Sequence, residues 1–254
     1  MSTISIANQK GGLGKTTTAM NLSAGLKQKG FKVLAIDFDY QSNLSKYLGH
    51  ISDGNPTTYD IMFSAISQQA FDVTTVVREN KEGIFYIPSN ARLAGMENAL
   101  AAIPFREKIL SNFLNHEYFQ AFDYIVIDNG PALGTLLSNA LSISDSVIIP
   151  VQPHPFALDG LAQLESVINV VKVNMNNKLQ VGGVFITMFD NTIMTKAVHA
   201  ELENRYGDLL LKTHISKSVA APESVAKQES LVAGKNKLGE EYIALLEELL
   251  ERGM

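Results

Sequence analysis

Residues 8–18, Asn-Gln-Lys-Gly-Gly-Leu-Gly-Lys-Thr-Thr-Thr, bring three glycines, two lysines and three threonines into one short stretch. That composition suits the binding of phosphate groups. An apolar run, Ile4-Ser5-Ile6-Ala7, precedes it, and a helix-like pattern through Met20, Leu22, Ala24 and Leu26 follows. Strand, glycine-rich turn and helix is the setting that a phosphate-binding loop requires. Gly11, Gly12 and Gly14 let the backbone approach closely and aim its N–H groups at phosphate oxygens. The helix N-terminus behind them adds positive potential. Lys15 is placed to reach β- and γ-phosphates and the Thr16 hydroxyl to ligate Mg²⁺, with Leu13 and Thr17 completing the nucleotide-binding loop.

Carboxylates must meet this loop if it is to do more than bind. Lys32-Val33-Leu34-Ala35-Ile36-Asp37 reads as a buried parallel strand ending in acid, with Asp39 just beyond. Phe122-Asp123-Tyr124-Ile125-Val126-Ile127-Asp128 has the same form. Ligands of open α/β sheets lie past the carboxyl ends of strands, so Asp37, Asp39 and Asp128 point toward the loop. Taken alone, Asp37 and Asp39 would more often be a helix cap and a turn residue.

The loop departs from G-x-x-x-x-G-K-[ST] by having Gln9 at the first glycine and a second lysine, Lys10, before Gly-Gly-Leu-Gly-Lys-Thr. In this it resembles the deviant Walker A loop, K-G-G-x-G-K-[ST], of the ParA/MinD family of ATPases. Three further stretches share the resemblance: Asp37-Phe38-Asp39-Tyr40-Gln41-Ser42-Asn43, Asp128-Asn129-Gly130-Pro131-Ala132-Leu133-Gly134, and the strand Val181 to Asp190. It implies that Lys10 reaches across a dimer interface to the partner's nucleotide. It also implies that Asp39 orients or activates the attacking water, that Asp37 and Asp128 serve the Mg²⁺ shell, and that Met188 touches the adenine. Tyr40, Gly130 and Ala132 stand where the family has proline, proline and serine. Ala157-Leu158-Asp159-Gly160-Leu161 resembles part of the family's dimer face. Residues 215–227 correspond to a segment that flanks the adenine and carries DNA-binding arginines in nucleoid-binding members. Here Ala220 occupies such an arginine's place, and Ser216 replaces a proline. The positive charge left is Lys217, Lys227, Lys235 and Lys237. Such spaced lysines are usually a solvated face; doubled in a dimer, they suffice for salt-sensitive, sequence-independent DNA binding.

The rest of the chain sets bounds. With 254 residues and 46% hydrophobic content it is expected to form one domain spanning 1–254. A net charge of −5 opposes a broadly basic surface. No apolar run is long enough to cross a membrane, and neither a secretory leader nor a helix-turn-helix extension before the loop is expected. The absence of cysteine excludes disulfides and the cluster ligands of the nitrogenase iron protein, and fits a cytoplasmic, nucleoid-associated protein. The C-terminal helix, Leu238 to Arg252, carries Glu240, Glu241, Glu247, Glu248 and Glu251 on its polar face. A membrane anchor would want basic residues there.

Smaller expectations concern single elements: a helix from Tyr59, a weak strand or helix at Val73–Val77, a solvated turn at 78–83, and a strand at Leu209–Thr213. Arg106 and Lys108 are expected on an amphipathic helix, and Leu161–Met175 as a long one. The fold expected is α/β, doubly wound, with a mostly parallel sheet between helices. The function expected is a homodimerising, Mg²⁺-dependent ATPase for plasmid or chromosome partition. It would hydrolyse slowly, be stimulated by a ParB-like centromere-binding partner and track on non-specific DNA, with no membrane involved. Positioning of a non-DNA cargo is the alternative. A metal-cluster carrier, a kinase regulatory subunit and a nucleotide-binding module without turnover are further classes.

Overall fold

Runs of apolar residues without alternation become the centre of the sheet, because parallel strands are covered on both faces. In the computed structural model, which describes residues 1–68, 71–154 and 157–254 (only the backbone of Ala157 and Asp159), these runs are β1 (Ser2–Ile6), β2 (Val33–Phe38), β5 (Tyr124–Asn129) and β6 (Ser146–Val151). Short edge strands β3 (Arg78–Glu79) and β4 (Phe85–Ile87) and the longer β7 (Gln180–Ile186) complete a seven-stranded sheet. Its order is β3-β4-β2-β5-β1-β6-β7, and every neighbouring pair is parallel except β3 with β4. The chain winds outward from β1 to β2 and β4 on one side, then crosses to β6 and β7 on the other. Ligands bind where the winding reverses. The register places Asp37 directly opposite Asp128 and Ile6 opposite Asp128, so three strands end together below one crevice.

Helices cover both faces. One layer is built on α1 (Lys15–Gln28) and α10 (Lys237–Glu251), packed with α2 (Asn43–Tyr47) and α9 (Ala220–Lys227). The opposite face holds α3 (Thr58–Ser67), α4 (Met96–Ala99), α5 (Ile109–Leu114) and α6 (Thr135–Ile143) over β2 and β5. Next to them, α7 (Ala157–Asn174) and α8 (Ile193–Tyr206) cover β6 and β7. Helix α7 starts at Ala157, where the sequence leads one to expect a helix start, while Pro155, Phe156 and the side chains of Ala157 and Asp159 lie outside the described residues. Among the described residues no helix is long and apolar enough to cross a membrane.

Helix α1 is buried along most of its length, because α10 lies across its outer face. A Cβ built on Gly25 would meet Leu246 Cδ2 at 2.7 Å and Ile243 Cδ1 at 3.6 Å. Leu246 is itself fully buried and has nowhere to go. Gly25→Leu is therefore expected to destabilise the protein by about 1–3 kcal/mol through overpacking, read as a lowered thermal midpoint by circular dichroism.

One expectation is narrowed and three are corrected. Val73–Val76 is a single 3₁₀ turn, started by Asp72, whose carboxylate accepts from Thr74 N–H. Residues 78–79 are not a solvated turn; they pair antiparallel with β4, Arg78 opposite Tyr86, and the Arg78 guanidinium donates to Asp53 through Nε and Nη2. Arg106 and Lys108 form a 3₁₀ turn before α5, since Phe105 at φ 53° prevents the helix from starting earlier. Leu209–Thr213 makes one bridge, Leu210 to Val184, and no strand. The N–H groups of Lys212 and Thr213, which a strand would pair with a neighbour, donate instead to the Glu248 carboxylate at 2.9 Å each. So α10 is not uniformly solvated on its acidic face. Glu241 likewise accepts from Ser216 N–H at 2.7 Å and Ser216 Oγ at 2.6 Å. A proline at 216 would lack that N–H.

Candidate nucleotide-binding site

The stretch 8–18 leaves β1 and enters α1 as the sequence requires. Gly12 and Gly14 adopt φ of 75° and 82°, a left-handed backbone that only glycine takes without strain. A Cβ on Gly11 or Gly12 would meet nothing within 4 Å, so the loop presents an open concave face. Asn8 braces it from below, donating to Pro150 O and accepting from Lys10 N–H. Gly14 supplies no side-chain cap to α1, which leaves the first N–H groups of the helix available for an anion.

Lys15 is 7% exposed and folds back to donate to the carbonyl of Lys10 at 3.0 Å. Burial holds its pKa below the usual lysine range, against the opposing pull of Asp128 and Asp39. An anion in the loop would meet a positive charge already held in position. Lys10 itself is exposed at the outer lip.

The acids converge from two strands, Asp37 and Asp39 from the end of β2 and Asp128 from β5. Thr16 Oγ1 donates to Asp128 Oδ2 at 2.7 Å, so two expected metal donors already touch. The other oxygen, Asp128 Oδ1, is buried without a hydrogen-bond partner among the described residues. A buried carboxylate oxygen left unpaired is costly, and a cation relieves it. Burial raises the pKa of Asp128 well above the carboxylate range, and the neighbouring Asp37 raises it further. Asp37 is pushed up to about 6, chiefly by burial, although Ser45 N–H and Oγ and Asp39 N–H all donate to it. Two crowded, desolvated carboxylates beside a hydroxyl fit Mg²⁺, which takes one or two protein oxygens and the rest from phosphate and water. Among the described residues no cluster of three or more His, Asp or Glu is built to hold a metal alone. The site therefore suits a metal that arrives with its nucleotide.

Asp39 lies at the mouth of the crevice, 9% exposed, with Oδ1 accepting from Gln41 N–H at 3.0 Å. Tyr40, at the family's proline position, does not prevent this turn: Ser42 N–H still closes on Asp39 O at 2.9 Å, with Ser42 at φ 54°. A Cβ on Gly130 would sit 3.4 Å from Asp39 Cγ and Oδ1. The glycine there thus gives the Asp39 carboxylate room.

A cleft of about 460 Å³ runs in front of the loop, bounded by Asp39, Pro131 and Met188. A side chamber of about 180 Å³ extends from it between Met188, Pro222 and Tyr242. Met188, at φ 51°, turns the chain sharply after β7 and presents its side chain to both spaces. A larger groove of about 700 Å³ between α2 and α3 shares Lys46 with the cleft but holds none of the loop residues.

Three contributors escaped sequence reading. Ser45 holds Asp37, Lys46 lines the cleft while donating to Gln41 O, and Asn129 ties β5 to Ile6 O. A hydroxyl eight residues after Asp37, at the start of a short helix, was the available signal for Ser45. The four lysines expected to meet DNA are all exposed. They do not carry equal free charge: Lys237 pairs with Glu241 at 3.5 Å, and Asp190, its pKa lowered chiefly by hydrogen bonds from Thr195 and Thr192, also feels the charge of Lys217.

Comparisons with known proteins agree with this geometry. Residues 1–181 match the family model described as AAA domain. The sporulation initiation inhibitor protein Soj of Bacillus subtilis is 36% identical over 255 residues, covering 98% of each chain. The chromosome partitioning protein ParA of Caulobacter vibrioides is 35% identical over 98% of this chain and 94% of its own. A solved structure named cobyrinic acid a,c-diamide synthase from Mycobacterium smegmatis, with bound ADP and magnesium, superposes with a TM-score of 0.84 at 28% identity, over 98% of this chain and 94% of that one. With loop, paired acids and sheet order in register, and with relatives matched from end to end, the chain belongs to the ParA/Soj family of deviant Walker A ATPases.

Proposed function

We propose that this protein is an ATP-driven dimerising switch that partitions a plasmid or chromosome, hydrolysing ATP slowly until a ParB-like partner accelerates it. The observation that carries the reading is the convergence of Lys15, Thr16, Asp37, Asp39 and Asp128 on one open loop, with Lys10 left at the lip. Mg²⁺ bound with ATP would supply neutralisation of the charge that develops on the phosphates. The loop N–H groups and Lys15 cradle those phosphates, Thr16 and Asp128 hold the metal side, and Asp37 completes the acid wall. Asp39 orients water for in-line attack. Lys10 from a second subunit adds positive charge that favours the ATP-bound dimer. Among the described residues that line the cleft, the cations are lysines and none is arginine, which supports slow basal turnover.

The metal assignment has its own test. Mg²⁺ with nucleotide at about 100-fold over its dissociation constant is expected to raise the melting temperature by on the order of 5–10 °C, and chelation to remove the gain. An Asp128→Asn variant should fold but lose most of that increment. An equal increment without metal would overturn the metal assignment.

The partition reading is tested by binding to non-specific duplex DNA with ATP, ADP or no nucleotide across a salt series. Binding with ATP alone, weakening steeply as salt rises, and lost in Lys217→Ala with Lys227→Ala, supports it. A dimer that forms with ATP yet binds no DNA at low salt sinks the DNA track and points to positioning of another cargo.

A further inference from the structure

We propose that Glu97 is a positioning residue for hydrolysis, acting through the loop 129–134; the inference rests on the reading of Asp39 and this loop as part of an ATPase site. Helix α6 begins immediately after that loop and has no cap of its own, because its N-cap is Gly134. The first N–H groups of a helix need acceptors. Glu97, nearly forty residues earlier in the chain, supplies them: Oε2 accepts from Thr135 N–H at 2.8 Å and Oε1 from Leu136 N–H at 3.0 Å. The approach is close enough that a Cβ on Gly134 would meet both Glu97 oxygens at 2.6 Å. A carboxylate at a helix N-terminus is also favoured by the dipole.

The other end of the loop has its own anchor. Asn129 is buried and donates to Ile6 O at 3.1 Å, tying the loop's start to β1. Between the two anchors, Gly130 faces the Asp39 carboxylate, and a Cβ there would lie 3.4 Å from Asp39 Cγ and Oδ1. The loop is thus a short tether with Asp39 beside its first residue after Asn129, and Glu97 sets the position of its far end. The body of α6 does not depend on Glu97. Leu137, Ala140 and Leu141 are buried, and Asn139 links the helix to Leu110 N–H and Arg106 O. Loss of Glu97 therefore frees the tether and leaves the helix in place. The phosphate loop, which follows β1, keeps its own contacts through Asn8 and the Lys10 carbonyl, so nucleotide affinity is not the quantity Glu97 controls.

Glu97→Ala and Glu97→Gln are the tests, with Gly134→Ala displacing the carboxylate from the opposite side. Steady-state ATP hydrolysis is expected to show kcat lowered about tenfold in Glu97→Ala and Gly134→Ala, an intermediate loss in Glu97→Gln, and KM within about twofold of the parent. In the nucleotide-free protein, hydrogen exchange at Thr135 and Leu136 should accelerate while α1 and β5 remain protected. Unchanged kcat in Glu97→Ala, beside a parent that turns over, overturns the inference. So does a joint loss of kcat, KM and protection throughout the chain, which marks a structural role alone. A parent protein that binds ATP without hydrolysing it overturns the ATPase reading itself, and the exchange data then stand as a description of a cap.

Discussion

Replacing Asp39 by alanine is expected to lower ATP turnover by about 100-fold or more while leaving ATP affinity within about threefold, since a group that positions or activates water contributes about 10²–10⁴. The geometry separates the two quantities. Phosphate binding depends on the loop amides and on Lys15, which is already held by the Lys10 carbonyl. Asp39 sits across the crevice, its carboxylate accepting from Gln41 N–H and facing Gly130. Alanine also removes the bond to Gln41 N–H, so Asp39→Asn is the cleaner variant: it keeps an acceptor and removes the charge. Both should accumulate an ATP-bound dimer on size-exclusion chromatography, because hydrolysis is what ends that state. Turnover within threefold of the parent in both variants would sink the role assigned to Asp39.

Lys10→Ala is expected to abolish nucleotide-dependent dimerisation and to reduce turnover by about three orders of magnitude, the low end of what a cation supplied in trans contributes to phosphoryl transfer. The fold should survive. Lys10 is exposed, and the contacts described for it run through its backbone N–H and carbonyl, which alanine retains. A mixing experiment decides whether the charge acts in trans. In a heterodimer of Lys10→Ala with Asp39→Ala, one site has an intact Asp39 and receives Lys10 from the other subunit. Two inactive proteins should then recover turnover on mixing. If the mixture stays inactive while heterodimers form, Lys10 serves its own subunit's site.

Much of the site could be read from local pattern. The phosphate loop depends on glycine spacing and on the step from strand to helix, and both are written within residues 4–26. Asp37 and Asp128 could be assigned because each closes an unbroken apolar run, and such runs become buried parallel strands whose ends face a ligand. The Tyr40 and Gly130 departures were visible too, although their meaning was not. Tyr40 leaves the turn intact, whereas Gly130 bears directly on Asp39.

What the tertiary structure decided are the partnerships between residues far apart in the chain. Leu209–Thr213 has the composition of a strand, but Glu248 captures its N–H groups from another element. The five glutamates of α10 look alike in sequence, yet Glu241 and Glu248 hold backbone while Glu240, Glu247 and Glu251 remain exposed. Glu97 is one acid in the largely apolar run 93–103 and nonetheless caps the helix behind the Asp39 loop. Periodicity reports which face of an element is buried. It carries no record of which buried N–H meets which carboxylate, because that depends on strand order and helix placement, and those are set only when the whole chain packs.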